Sequence, residues 1–267
     1  MPKLIAGGCS FTFGNELSDV VAGRLPSKKS WANLLASHLN YEYICTAKGG
    51  IGNSAIARRV FTEISKHDIK SIGLVAIMWS FISRYDWAMP RHATLENTRW
   101  ASISPWDTEV GQAEAFENLS GSEFAQQEWK TRQENNLQTG VKPFADALYK
   151  HSANDYHESF LSLKSITWLQ NILEKKNIPY FFTLADNSLF YNEQEVKYKD
   201  DFLFSNLNAE IDFTKWFSFG ERMMGFNQWS LLNDYERATT HPLDKAHQDA
   251  VKLLIPTVEK IIGEQDV

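Results

Sequence analysis

The chain has 267 residues, 43% of them hydrophobic and 22% charged, with a net charge of −6. That length makes one large domain or two small ones and buries a sizeable core without staples. The acidic balance, with no long basic run, disfavours a broad nucleic-acid-binding face. The two cysteines, Cys9 and Cys45, form neither a disulfide framework nor a metal spacing, and the seven histidines make no cluster with them. These residues therefore suggest no metal site. No apolar run approaches the length of a membrane span, and the chain enters its first strand without a targeting segment, so a cytoplasmic location is the expectation.

In chain order, residues 3–7 read as a short buried strand that ends in Gly7-Gly8 and delivers Cys9 and Ser10 to a turn. Trp31, Leu34, Leu35 and Leu39 line one face of a helix over 31–39, and 41–45 is a second short strand. Gly49-Gly50-Ile51-Gly52 is a loop, with Asn53 or Ser54 placed to cap a helix over 55–66. The continuous apolar run 72–79 suits a strand buried on both faces. From about 88 to 150 the chain turns polar, tryptophan-punctuated and poorly periodic, which predicts a partly helical insertion over one end of the sheet. A helix over 156–175 and a strand over 179–184 follow, then a second irregular segment over 188–238 and a final helix over 243–262. Strands alternating with helices predict a parallel sheet covered on both faces.

Three segments can carry chemistry. Ser10, at a strand–turn–helix corner, has its own N–H placed for a developing oxyanion, although Thr12 stands where a nucleophile elbow has its second glycine. A capping serine is the plainer alternative. The glycine loop can turn the Gly52 N–H toward a ligand, or it is an ordinary turn; it lacks the lysine of a phosphate loop. His241, held before Pro242 at a helix entrance, can serve as the base that a serine hydroxyl needs, or it is a surface histidine.

Taken together, Gly8-Cys9-Ser10-Phe11-Thr12, Gly50-Ile51-Gly52-Asn53-Ser54 and His241-Pro242 with Ala246-His247 resemble, in order and spacing, the sequence blocks of the SGNH, or GDSL-type, hydrolases. The Gly-Cys-Ser-Phe-Thr opening resembles a divergent branch met in bacteriophage genomes. The resemblance covers about the first 85 and last 110 residues. It implies a flavodoxin-like three-layer α/β/α sandwich with a parallel sheet of about five strands, a single domain over 1–267 with insertions at about 88–150 and 188–238. It also implies ester hydrolysis through an acyl-enzyme, with no metal or organic cofactor, Ser10 as nucleophile and His241 as general base.

The chain departs from those blocks at three points. Cys9 replaces the usual aspartate and is read as packing. The family's block after the third strand, here Met78-Trp79-Ser80-Phe81-Ile82-Ser83-Arg84, lacks its asparagine, so the oxyanion donors expected are Ser10, Gly52, and Asn53 or Ser80. Arg84, near that block, is read as the partner of a surface carboxylate, with an anionic substrate group as the alternative. The acid three residues before the histidine is missing too, because that position is Ala238. Asp234, Glu236 or a backbone carbonyl is then the candidate to orient His241; alternatively Asp244 and His247 form the pair. The substrate expected is a small-molecule or glycan ester, with deacetylation of a glycan as the narrower form. The rival is a catalytically weak or inactive module with a binding or structural role, virion-associated if the phage resemblance holds.

Overall fold

The structure, a computed structural model, describes residues 1–20, 25–89, 99–118 and 123–264. Strand β1 (Lys3–Gly7) leads into a single helical turn, α1 (Ser10–Phe13), and α2 (Trp31–His38) returns the chain to β2 (Glu42–Cys45). Helix α3 (Asn53–Ile64) and strand β3 (Ile72–Trp79) follow. An antiparallel hairpin, β4 (Tyr85–Met89) with β5 (Arg99–Ile103), opens the first insertion, and α4 (Glu109–Asn118), α5 (Glu123–Gln138) and α6 (Val141–His151) complete it. The core resumes with α7 (Asp155–Lys175) and β6 (Tyr180–Leu184). After it come a π-helical stretch (Leu189–Lys197), α8 (Phe202–Ala209), α9 (Phe226–Leu232) and α10 (Asp244–Gly263).

Four strands pair in parallel in the order β2-β1-β3-β6, with Gly7 opposite Ile77 and Ala6 opposite Cys45. Helices α2 and α10 pack together against one face, α3 and α7 against the other. This is an α/β/α arrangement. Both faces of β3 are covered, so its residues are apolar without alternation, and Leu74 to Trp79 are fully buried. Trp79 stacks edge-on against Phe182 with ring centroids 5.3 Å apart; truncating so large a core residue costs about 3–5 kcal/mol.

The expected fifth strand is absent from the described residues, and its place beside β6 is only started. Phe182 makes a lone parallel bridge to Trp216, and Phe217 N–H donates to the Phe182 carbonyl. A 3₁₀ turn (Phe213–Lys215) precedes that contact, and Arg222 and Met223 adopt left-handed φ of 55° and 52° soon after it. A ladder cannot extend between such interruptions. Helix α3 also starts earlier than expected: Gly52, not Asn53 or Ser54, is its N-cap, and Asn53 already lies inside the helix. The stretch over 188–238 carries more regular structure than its pattern suggests, because its helices are too short to show a clear period.

The first insertion begins before residue 88, at Tyr85, and builds its own small core. Val141, Ala145 and Leu148 of α6 pack on Tyr85, Ala101 and Ile103 of the hairpin. The Arg58 guanidinium of α3 grips the Asp86 carboxylate at 2.6 and 2.9 Å, which ties the hairpin to the main fold. Arg132 of α5 lies against the glycine loop: a Cβ on Gly50 would stand 3.2 Å from its Nη1. That guanidinium is itself held by the buried Asp107 at 3.0 and 2.8 Å. The insertion therefore flanks the carboxyl ends of the strands.

Candidate active site

The turn after β1 is tight for a steric reason. A Cβ on Gly8 would stand 2.0 Å from Thr12 Oγ1, so only glycine lets the chain fold back this closely. Cys9 is fully buried and caps α1 through its carbonyl, which accepts from Thr12 and Phe13. Ser10 opens α1, but α1 is one turn of four residues closed by Gly14 in the left-handed conformation. So short a helix supplies little macrodipole, and any anion binding at this corner rests on individual N–H groups. Two residues after Gly14 the chain places Glu16 at φ 67°, a conformation that costs a non-glycine residue about 1 kcal/mol or more.

The other half of the site comes from the loop before α10. Ala238 N–H donates to the His241 carbonyl at 3.0 Å, and Leu243 N–H to the Glu236 carbonyl at 2.9 Å, so residues 236–243 close into a narrow turn. The Arg237 guanidinium braces that turn, donating to the Thr240 carbonyl at 2.6 Å, to Asn227 Oδ1 at 2.9 Å and to Ser230 Oγ at 2.9 Å. Pro242 lies before the N-cap, Leu243, rather than in the first turn of α10. The Phe11 ring packs edge-on to the imidazole, centroids 4.8 Å apart.

These two loops meet. Ser10 Oγ lies 2.7 Å from His241 Nε2, and His241 Nδ1 lies 2.7 Å from Glu16 Oε2. The same carboxylate oxygen accepts from the Thr240 N–H at 3.2 Å, the Thr240 hydroxyl at 3.3 Å and the His241 N–H at 3.1 Å. A carboxylate can only accept, so Nδ1 carries the ring proton and Nε2 is left to accept the Ser10 hydroxyl proton. Burial pushes the Glu16 carboxyl up, but hydrogen bonds from His241 and Thr239, the His241 charge and the Thr240 N–H outweigh it and bring the group from 4.5 down to about 2. Glu16 is thus an anion throughout the neutral range. The three side chains are partly shielded from water: Ser10 is 6% exposed, the His241 side chain 13% and the Glu16 side chain 23%.

Glu16 was not among the acids expected beside His241. Asp234 and Glu236 are both exposed, and neither is among the partners of the imidazole, which are Glu16, Thr240 and Ser10; Asp234 sits at a left-handed turn, φ 51°. The Asp244–His247 pair is not assembled either. His247 is 1% exposed and its Nδ1 accepts the Trp31 backbone N–H at 3.1 Å, with burial pushing the imidazole down to about 3. It is a neutral core histidine. Asp244 instead accepts from the Ser18 N–H at 3.1 Å, the Ser18 hydroxyl at 2.6 Å and Lys29 Nζ at 2.6 Å. Ser18 is two residues from Glu16, so Asp244 clamps the Glu16 loop to the start of α10.

The glycine loop follows β2, the strand paired with β1. Gly52 cannot be replaced without displacing backbone, because its Cβ would stand 2.2 Å from the Arg84 carbonyl oxygen. Neither the Ser10 N–H nor the Gly52 N–H has an acceptor among the described residues. The Asn53 amide is not available as a donor. Its Nδ2 is spent on the Ser80 carbonyl at 3.1 Å and Ser162 Oγ at 3.0 Å, while its Oδ1 accepts the Ser80 N–H at 2.7 Å. Asn53 fastens α3 to the end of β3. Ser80 is buried, and its hydroxyl accepts from Arg84 Nη1 at 2.9 Å. Arg84 has no carboxylate partner among the described residues, so the expected surface ion pair does not form; its guanidinium lies over the Phe81 ring, 4.6 Å from the centroid.

Comparison with protein-family models and with curated proteins finds no match. Among solved structures, the chain is similar to an acetyl xylan esterase from Butyrivibrio proteoclasticus at 12% identity and a TM-score of 0.47, over 98% of this chain and 64% of that one. The chain thus spans less than two thirds of that enzyme's length. It is also similar to a carbohydrate acetylesterase family member from Sinorhizobium meliloti, at 13% identity and a TM-score of 0.46, over 98% and 100% of the two chains. An esterase from Pseudoalteromonas sp. gives 9% identity and a TM-score of 0.46 over the same shares. No helix among the described residues is long and apolar enough to cross a membrane.

Proposed function

We propose that this chain is a serine esterase of the SGNH type, cleaving a carboxylic ester through an acyl-enzyme on Ser10. The observation that carries the proposal is the unbroken line from Ser10 Oγ through His241 to Glu16, with both links at 2.7 Å. Ser10 Oγ attacks the ester carbonyl as its proton passes to His241 Nε2. Glu16 stabilises the imidazolium formed at that moment. The oxyanion of the tetrahedral intermediate is received by the N–H groups of Ser10 and Gly52. Collapse expels the alcohol, which takes the proton from Nε2. Water, deprotonated by the same nitrogen, then attacks the acyl carbon, and a second collapse returns the proton to Ser10 Oγ and releases the acid.

The narrower reading is removal of an acetyl group from a glycan. Trp87, Trp100 and Trp106 of the insertion are exposed and support it, while Arg58 covers the Trp100 ring at 3.9 Å and Phe144 stands 5.1 Å from Trp87. A weak or inactive module is favoured by one observation, the commitment of the Asn53 amide to structural bonds. Hydrolysis of p-nitrophenyl acetate by the wild type and by Ser10→Ala decides between them. The esterase reading expects turnover that falls to background in the folded variant; equal rates in the two proteins overturn it.

A further inference from the structure

Ser80 and Arg84 remain unused by the steps above, and their arrangement is unusual. The Ser80 hydroxyl accepts a hydrogen bond from a guanidinium, yet its own proton finds no acceptor among the described residues. Arg84 Nη1 also lies 3.4 Å from the Ile51 carbonyl, and no carboxylate neutralises the group among the described residues. A partly buried cation held on a hydroxyl and a carbonyl is a stored positive charge with no fixed counter-ion. A hydroxyl that accepts from such a cation is polarised, and it becomes a stronger donor than a free serine.

The fold also fixes where that donor lies. β1 and β3 are neighbours with Gly7 opposite Ile77, so the segments that leave them run side by side. A Cβ on Gly8 would stand 3.1 Å from the Met78 carbonyl. The Ser80 N–H is bonded to Asn53, next to Gly52, and the Arg84 carbonyl abuts Gly52 itself. Ser80 therefore sits where the chain segments bearing Ser10 and Gly52 converge.

We propose that Ser80 and Arg84 form a charge-assisted relay for the oxyanion. The Ser80 hydroxyl donates to the negative oxygen of the tetrahedral intermediate, and Arg84 acts through it as a positioning residue. The relay rests on the Ser10 acyl-transfer reading. Because the ground-state carbonyl is neutral and the charge develops only on attack, the relay acts on kcat and leaves KM nearly unchanged.

The test measures kcat and KM for p-nitrophenyl acetate in wild type, Ser80→Ala, Arg84→Ala, Arg84→Lys and the double alanine variant, each checked by circular dichroism and by labelling with a fluorophosphonate probe. Removal of one oxyanion donor costs about 10²–10³ in kcat, and that is the loss expected for Ser80→Ala. Arg84→Ala should lose about 10-fold or more, and Arg84→Lys should recover part of it, because an ammonium keeps the charge but not the fork. The double variant should be no slower than Ser80→Ala alone, since Arg84 acts only through the hydroxyl. The relay is overturned if either single alanine variant stays within threefold of wild type, if the losses appear in KM, or if the two losses simply multiply. Should Arg84→Ala fail to fold, Ser80→Ala and Arg84→Lys still decide. A wild type that neither hydrolyses the ester nor takes up the probe overturns the Ser10 reading and the relay with it. A wild type that does both beside unimpaired variants overturns the relay alone.

Discussion

Replacing Glu16 with glutamine keeps the side-chain volume and an oxygen for the Thr240 and His241 N–H groups, and removes the charge. In the proposed reaction the carboxylate faces an imidazolium at the moment of attack; Oε2 lies 2.7 Å from Nδ1. With charge centres about 4 Å apart and an effective dielectric of about 20, the lost attraction is about 4 kcal/mol, or about 10³ in kcat. The glutamine amide can also turn its NH₂ toward Nδ1, which favours the tautomer whose Nε2 is protonated and unable to take the serine proton; triads that lose their acid this way fall by about 10⁴. Steady-state hydrolysis of p-nitrophenyl acetate at pH 8 should therefore show kcat lower by about 10³–10⁴, with KM little changed. A stability signature accompanies it. The fall of the Glu16 carboxyl from 4.5 to about 2 corresponds to about 3 kcal/mol at full strength, and solvent screening of this partly exposed pair brings it to about 1–2 kcal/mol. The folded-state value is depressed, so this stability is present above pH 4.5 and is lost as pH falls toward 2. Urea unfolding across that window should show the wild-type advantage over Glu16→Gln shrinking. A folded Glu16→Gln protein whose kcat stays within tenfold of wild type refutes the assignment.

His247→Gln should lower stability by about 2 kcal/mol through the disturbed bond to the Trp31 N–H, with kcat per folded molecule unchanged; a loss of activity comparable to that of His241→Ala would contradict the structural role. Burial holds the His247 imidazole at about 3, below its ordinary 6.5, so the unfolded chain binds the extra proton in that interval and stability falls as pH drops through it. The wild-type loss is on the order of 5 kcal/mol, and urea titrations should find His247→Gln flatter over the same range. Asp244→Ala releases Ser18 and Lys29 and loosens the Glu16 loop; kcat should fall roughly 3- to 10-fold, as for other small misplacements of a catalytic group, while Ser10 still takes up a fluorophosphonate. Gly52→Ala drives a Cβ to 2.2 Å from the Arg84 carbonyl, and the displaced loop should cost about 10² in kcat, an expectation that unaltered kinetics in the folded variant would remove.

Much of the framework was legible because burial writes itself into composition. The run Ile72–Trp79 lacks polar residues since both faces of the sheet are covered, and the strand it predicts ends at the same residue in the structure. Ser10 and His241 were legible as a serine after a glycine corner and a histidine before a proline. Their acidic partner was not. Glu16 is six residues from Ser10 and 225 from His241, and a residue's reach across a tertiary junction leaves no local period or spacing. A trace was present all the same: an acidic residue just beyond the Gly14 turn that follows the serine. The Asp-x-x-His spacing of Asp244 and His247 misled because α10 turns His247 into the core, under α2, where it meets the Trp31 N–H. The fifth strand came from the family resemblance, since the sequence pattern itself marks four strands; where a fifth would pair with β6, a 3₁₀ turn and two left-handed residues interrupt the chain.

The proposed function makes Ser10, activated by His241 and Glu16, a covalent nucleophile. Its most direct test is mass spectrometry of the folded protein after exposure to a fluorophosphonate probe, with the modified peptide sequenced. One adduct per chain is expected, on Ser10, formed slowly or not at all in His241→Ala and Glu16→Gln. An unmodified wild type, an adduct on another residue, or labelling of Ser10 at the same rate without His241 would contradict it.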